Sequence, residues 1–332
     1  MVINLKKNTV FNIVVIGAGN VGSRHIESLL LIDIPTNIFV IDKDLDSIKK
    51  SKKIYKNSKK NKFINSINFF ENISKINFDI DLAIIATNSD VRKSILKKMV
   101  NKNNIKNLLI EKVAFQSSND FKEIMSLLKR KKIQCWVNLA KRIFPLFQKL
   151  KIQMNNKKKI IINASSGNFD LGCNTIHYLD LFYFLTKSKI KSIDMNLIDK
   201  KIYKSKRKGY IDFNGTLKAT TLRGDQLNIT NFYGINKDHI LEISNQKFYY
   251  LILPFHNKYY HNNTNNKLIE KSFYQPKQSE MTNIIAKEIL LEHKCDLPDL
   301  KEAFITHKPM LDSFIKHVNL IKKTKINYCK IT

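Results

Sequence analysis

Short apolar runs alternate with longer stretches of mixed polarity through the first 140 residues. Phe11–Ile16, Asn37–Asp42, Asp81–Thr87, Asn107–Lys112 and Gln134–Asn138 are too short for helices and rich in aliphatic or aromatic residues, so they are predicted as strands. Between them, Ser89–Val100 and Asn119–Arg130 read as helices. The lysine- and asparagine-rich stretch after Asp42 predicts no element. Strands separated by helices imply a doubly wound parallel sheet.

Beyond Pro145 the pattern changes. Lys159–Asn163 reads as a strand and Asn174–Thr186 as a helix with Ile176, Leu179, Tyr183 and Phe184 toward the core. After Ile190 strands dominate: Ile211–Leu217, with Asn214-Gly215 as a hairpin signal, then Leu227–Phe232, Ile240–Ile243 and Phe248–Leu253. His256–Lys267 reads as a loop or sheet edge. Two helices close the chain, Ser279–Leu291 and Pro309–Lys323, the second with Leu311, Phe314, Ile315, Val318 and Ile321 on one stripe. The expected class is α/β: a parallel doubly wound domain over residues 1–140, then an α/β domain with an open, largely antiparallel sheet over 141–332.

The junction after the first strand carries the strongest chemical signal. Gly17, Gly19 and Gly22, with Asn20 and Val21 between them, have the spacing of a strand turning sharply into a helix beneath a pyrophosphate. Gly17 permits the turn, Gly19 removes a side chain where phosphates approach, and Gly22 lets the helix pack on the strand. The helix start then offers unpaired N–H groups and a positive dipole end. Asp42 ends the second strand, where a carboxylate accepts from adenosine ribose hydroxyls and repels a 2′-phosphate; this favours NAD over NADP, although Lys43 beside it weakens the preference. The other strands also end in polar residues, namely Thr87 and Asn88, Glu111 and Lys112, and Asn138. In open parallel sheets ligands lie outside such ends, so these residues are expected around one crevice.

The formal charge is +30, but lysine is spread through the whole chain together with abundant asparagine and isoleucine. The densest clusters, at residues 49–53, 157–159 and 204–208, carry no interleaved aromatic stacking motif. They are read as a solvated surface rather than as a nucleic-acid or membrane footprint, with attraction of an anionic substrate as the residual alternative. Cys135, Cys173, Cys295 and Cys329 have no metal-ligand spacing, so no metal site or disulfide framework is expected. No run approaches a membrane span, and the start lacks a secretory core, which points to the cytoplasm.

Three motifs occur in order: the glycine turn followed by His25, the Glu111-Lys112 pair ending a strand, and His177 three residues before Asp180 on a later helix. Together they resemble the Gfo/Idh/MocA oxidoreductases, the glucose–fructose oxidoreductase and inositol dehydrogenase group, over essentially the whole chain. Residues 86–92, 111–113, 137–145 and 172–180 look most like the branch associated with surface-polysaccharide and sugar-modification loci. The resemblance implies a Rossmann domain and an NAD(P)-dependent dehydrogenase that interconverts hydroxyl and carbonyl on a sugar or nucleotide-sugar. It implies Lys112 and His177 as catalytic residues, the first stabilising the reacting oxygen and the second acting as base. Glu111, Thr87 and Asn88 are then expected at the nicotinamide half through backbone or side chain, Asn138, Arg142 and Asn174 at the substrate, and the open sheet at a homo-oligomer contact. His25 is expected to cap or pack near the cofactor, while His239, His256 and His261 read as surface residues. Two positions depart from the family pattern. Cys173 stands where many members have an aspartate, and Val113 where a proline often follows the Glu-Lys pair. A thiol is a poor substitute for a carboxylate in relaying a proton. That leaves open a cofactor-recycling dehydratase, epimerase or glycosidase, or a dinucleotide-binding sensor.

Overall fold

The computed structural model describes residues 9–154 and 158–332. Lys157 and the amino-terminal segment scanned for a secretory core lie outside them. The first parallel sheet is built from β1 (Phe11–Ile16), α1 (Asn20–Leu29), β2 (Thr36–Ile41), α2 (Leu45–Asn57), β3 (Ile64–Phe70), β4 (Ile80–Ile85), α3 (Ser89–Lys102), β5 (Ile105–Ile110), α4 (Ser118–Lys131) and β6 (Gln134–Val137). Its six strands run in the order β3-β2-β1-β4-β5-β6, every pair parallel. The order reverses between β2 and β4 around β1, which opens a crevice at the carboxyl ends there. The aliphatic runs that predicted β1, β4 and β5 are almost wholly buried, as strands covered on both faces must be.

The stretch after Asp42, which predicted nothing, forms α2 and β3. Only Ile48 and Ser51 of α2 are buried, and every residue of β3 is half-buried or exposed. With so little apolar contrast, periodicity had no signal; tertiary pairing with β2 forms the edge strand instead.

The rest of the chain comprises α5 (Pro145–Gln153), β7 (Ile161–Gly167), α6 (Leu171–Thr186), β8 (Ile190–Ile198), β9 (Tyr203–Lys204), β10 (Ile211–Asp212), β11 (Gly215–Thr221), β12 (Gln226–Phe232), β13 (Ile240–Ser244), β14 (Tyr249–Leu253), β15 (Lys258–Asn262), β16 (Leu268–Ser272), α7 (Thr282–Glu292) and α8 (Leu300–Lys322). An eight-stranded sheet runs β16-β15-β14-β13-β7-β12-β11-β8. It is antiparallel except where β7 pairs β12. This matches the expected class: a parallel Rossmann sheet and a second, mixed sheet.

Two details differ from expectation, at Asn214-Gly215 and at Pro309, while the segment 256–267 takes the sheet-edge alternative. Asn214-Gly215 is not a hairpin turn. Gly215 opens β11 at φ 105°, where a Cβ would meet the Leu197 carbonyl oxygen at 2.2 Å, and the Asn214 amide donates to Asp199. The segment 256–267 contributes β15, which pairs with β16 as a hairpin at the sheet edge. Helix α8 begins nine residues before Pro309 and carries that proline inside it.

Two compact units emerge, and a single cut at residue 140 does not describe them. The first contains residues 1–114, 122–138 and 276–300; the second contains 115–121, 139–275 and 301–332. The segment 276–300 joins the first unit because α7 packs on α1, the Val137 N–H donates to the Pro298 carbonyl, and Trp136 bridges Asp299.

Candidate functional site

In the first unit the glycine turn, the end of β2 and the end of β4 line one cleft of about 700 Å³. Its walls include Gly17, Gly19, Asp42, Lys43, Thr87 and Asn88. Gly17 has φ 91°, and a Cβ there would press on the Ala86–Thr87 backbone at 3.0 Å. A Cβ on Gly22 would lie 1.7 Å from the Gly17 carbonyl oxygen, so α1 rests directly on the turn. At Gly19 a Cβ would meet nothing within 4 Å, which leaves the approach to the helix start open. Asn20 is exposed and Val21 half-buried at that start, with no side chain capping the free N–H groups. Gly22→Ala is expected to prevent the turn from closing, with a loss of about 1–3 kcal/mol or more in stability and of dinucleotide binding; denaturant melts with and without NAD check both.

The Asp42 carboxylate accepts from the Ala18 N–H at 2.6 Å and the Asp44 N–H at 2.9 Å, tying the end of β2 to the glycine turn. An ionised carboxylate has about four acceptor positions, so ribose hydroxyls still find lone pairs. The Thr87 hydroxyl is buried without a hydrogen-bond partner on this same cleft. Room over the turn, a carboxylate at its end and an unsatisfied hydroxyl in the wall fit an adenine dinucleotide.

The end of β5 is braced from inside. The Glu111 carboxylate is buried and does not line the cleft, so of the two expected routes to the cofactor the side chain is engaged elsewhere. It lies 3.0 Å from His25 Nε2 and accepts from the Asn138 amide at 2.5 Å. His25 Nδ1 meets the Thr282 hydroxyl at 2.9 Å, and Gln278 accepts from Asn138 at 2.8 Å. Burial opposes the charge on Glu111, but the His25 and Asn138 hydrogen bonds outweigh it and hold the carboxyl below its ordinary range. A carboxylate with a depressed pKa stabilises the fold above the unfolded glutamate value of about 4.3 and loses that contribution as pH falls through the lower folded value. Glu111→Gln is therefore expected to cost about 1–3 kcal/mol at pH 7, with the gap to wild type narrowing in acid; urea midpoints across the pH range read it.

Arg92 ends the segment 86–92 that carries part of the resemblance. Its buried guanidinium donates to the carbonyls of Glu111, Val113, Ala114 and Thr87. One side chain thus joins the Thr87 turn to the segment bearing Lys112. An arginine five residues past a strand-ending threonine was the only sequence signal. Lys112 itself is half-buried, and its peptide bond to Val113 is cis.

In the second unit His177 and Asn174 are half-buried on consecutive turns of α6, a helix buried elsewhere except at half-buried Tyr183. Asn174 donates to the Phe169 carbonyl at 2.6 Å, and Cys173 is 8% exposed. At the start of α6, Asp212 accepts from the Gly172 N–H at 2.7 Å, and burial pushes its carboxyl up to about 6. Two expected substrate contacts are engaged elsewhere. Arg142 is 2% exposed and forks onto Asp180 at 2.7 and 2.6 Å, its third nitrogen reaching Glu302 at 2.9 Å. Burial opposes its charge, but the two carboxylates more than offset that and hold the guanidinium above its ordinary pKa. Asn138 is 3% exposed, its amide spent on Glu111 and Gln278. His239 is not a surface residue either: it is half-buried, 2.5 Å from the Tyr178 hydroxyl.

No metal-holding cluster of His, Cys, Asp or Glu occurs among the described residues, and no described helix is long and apolar enough to cross a membrane. Residues 11–139 match the family model of oxidoreductases with an NAD-binding Rossmann fold. No curated protein matches the chain in sequence. Among solved structures, UDP-N-acetylglucosamine 3-dehydrogenase GnnA from Acidithiobacillus ferrooxidans is 12% identical, with a TM-score of 0.69 over 96% of this chain and 99% of its own. An oxidoreductase from Agrobacterium radiobacter, in complex with NAD+, L-tartaric acid and magnesium, is also 12% identical, with a TM-score of 0.69 over 91% and 94%. GenD2 from gentamicin A biosynthesis, in complex with NAD, is 10% identical, with a TM-score of 0.68 over 92% and 93%. At such identities these structures establish the common fold across both units. Residues 11–139, the greater part of the first unit, thus match the NAD-binding Rossmann fold of the Gfo/Idh/MocA oxidoreductase family.

Proposed function

We propose that the chain is an NAD-dependent dehydrogenase interconverting a hydroxyl and a carbonyl on a sugar or nucleotide-sugar, in surface-glycan or sugar biosynthesis. The observation that carries this reading is the convergence of the glycine turn, Asp42 and the unpartnered Thr87 hydroxyl on one cleft. The sugar dehydrogenase among the structural neighbours supports the substrate class. When bound, NAD supplies the hydride acceptor or donor. Asp42 takes the adenosine ribose, and the start of α1 with Asn20 and Val21 takes the pyrophosphate. Thr87 and Asn88 contact the nicotinamide half. Lys112, held through the carbonyls that Arg92 gathers, donates a hydrogen bond to the reacting oxygen and offsets its developing negative charge. His177 takes the hydroxyl proton, and Asn174, one turn earlier on α6, orients the sugar.

The side chains of Glu111 and Asn138 brace the strand end that precedes Lys112, which leaves the Glu111 backbone for the nicotinamide half. A second reading is a cofactor-recycling enzyme, in which NAD is reduced transiently and stays bound. A panel of NAD, NADP and sugars separates the two. At a hundredfold over its Kd, NAD is expected to stabilise by about 2.7 kcal/mol, seen as a rise in melting temperature, with NADP weaker. Net sugar-dependent NADH release is expected with it. Stronger stabilisation by NADP would overturn the role of Asp42, and retained NADH without turnover would favour the recycling enzyme.

A further inference from the structure

Arg142 and its neighbour Lys141 have opposite surroundings. Arg142 meets two carboxylates, Asp180 and Glu302. Lys141 meets none among the described residues: its ammonium lies 4.8 Å from the centre of the Tyr178 ring and 5.9 Å from that of Phe147. The side chain is half-buried, and burial pushes its pKa down to about 8.

The polar groups around it bring no negative charge. His239 lies 5.8 Å, ring to ring, from Tyr178; burial and then Lys141 itself hold the imidazole down to about 3, so it is neutral. The Tyr178 hydroxyl and Nε2 share a hydrogen bond, and burial raises the phenol, so it does not become an anion at neutral pH. Phe169 packs on Tyr178 and His239 at 5.3 and 5.8 Å, and Phe255, 69% exposed, borders His239 at 5.9 Å. The nearest acid in sequence, Asp238, is taken by His256 at 2.8 Å. Ring faces return only part of the hydration a half-buried ammonium loses, so such a group gains strongly from an incoming anion.

We propose that Lys141 recognises an anionic group on the substrate, a carboxylate or a phosphate, beside the ring cluster of Tyr178, His239 and Phe255. This rests on the sugar-dehydrogenase reading and narrows it to acidic sugars: a uronic acid, a phosphosugar or a nucleotide-sugar. A neutral sugar brings no counter-ion to the ammonium, whereas an acidic one forms a charge-assisted hydrogen bond there.

Sugars that differ in the anionic group test it, with NAD and the full chain: neutral glucose against glucuronate, glucose 6-phosphate and UDP-glucose. An acidic member is expected to exceed its neutral partner about tenfold or more in kcat/KM at pH 7. The uronate and phosphate arms identify which anion is read. The preference should shrink as pH rises past 8, where the free ammonium loses its proton. Lys141→Met is expected to abolish the preference through KM, and Lys141→Arg to retain it. Trace acetylation of Lys141, read by peptide mass spectrometry, needs no turnover. It should slow in glucuronate or glucose 6-phosphate but not in glucose. Protection without turnover of any sugar would sink the redox reading and leave the anion site standing. Equal turnover of acidic and neutral partners, or labelling that acids leave unchanged, would overturn the proposal.

Discussion

Replacing Lys112 by alanine is expected to lower kcat for sugar-dependent NAD reduction by about 10²–10³-fold, the usual cost of removing one donor to a developing oxyanion. The melting-temperature rise caused by NAD should be nearly unchanged, because the cleft walls that fit the dinucleotide do not include this side chain. His177→Ala should cost about 10²–10⁴-fold, as expected for a general base. Groups that act on one reacting hydroxyl are strongly non-additive, so the double variant should be little worse than the poorer single one. Additive losses would show that the two residues do not share a reacting group. A full loss of NAD stabilisation in Lys112→Ala would instead make it a cofactor-binding residue.

Arg142→Met is expected to destabilise the second unit by about 3–5 kcal/mol, because a fully buried Asp180 is left without its partner. Glu302, with 28% of its side chain exposed, can return to water, so most of the cost belongs to Asp180. Pairing Arg142→Met with Asp180→Leu removes both buried charges and should recover much of the loss, since a buried ion pair often gains little over apolar packing. Urea midpoints of the three variants read this. A substrate-binding arginine would behave differently: stability would hold and KM would rise. Such an outcome would restore the role that its position in the chain suggested.

Arg142 and Asn138 illustrate what a linear reading misses. Each follows β6 closely, where a polar residue is expected to face a ligand. Arginine and asparagine serve buried acids as readily as substrates, and the acids that claim them, Asp180, Glu302 and Glu111, come from distant segments. Glu111 and Lys112 are adjacent, yet the first turns inward to His25. Nothing in the sequence sets Lys141 apart from so many lysines; only its carboxylate-free aromatic surroundings do.

The chain by itself determined the parallel sheet, the glycine turn and the acid at the end of β2. These depend on local requirements: aliphatic runs that must be buried on both faces, a glycine at φ 91° and a glycine with no room for a Cβ. Tertiary structure alone decided the edge strand β3, the return of 276–300 to the first unit, and which polar side chains are spent inside the protein. Each of those outcomes turns on partners far apart in sequence, and a hydrogen bond or ion pair leaves no periodic trace in the residues that make it.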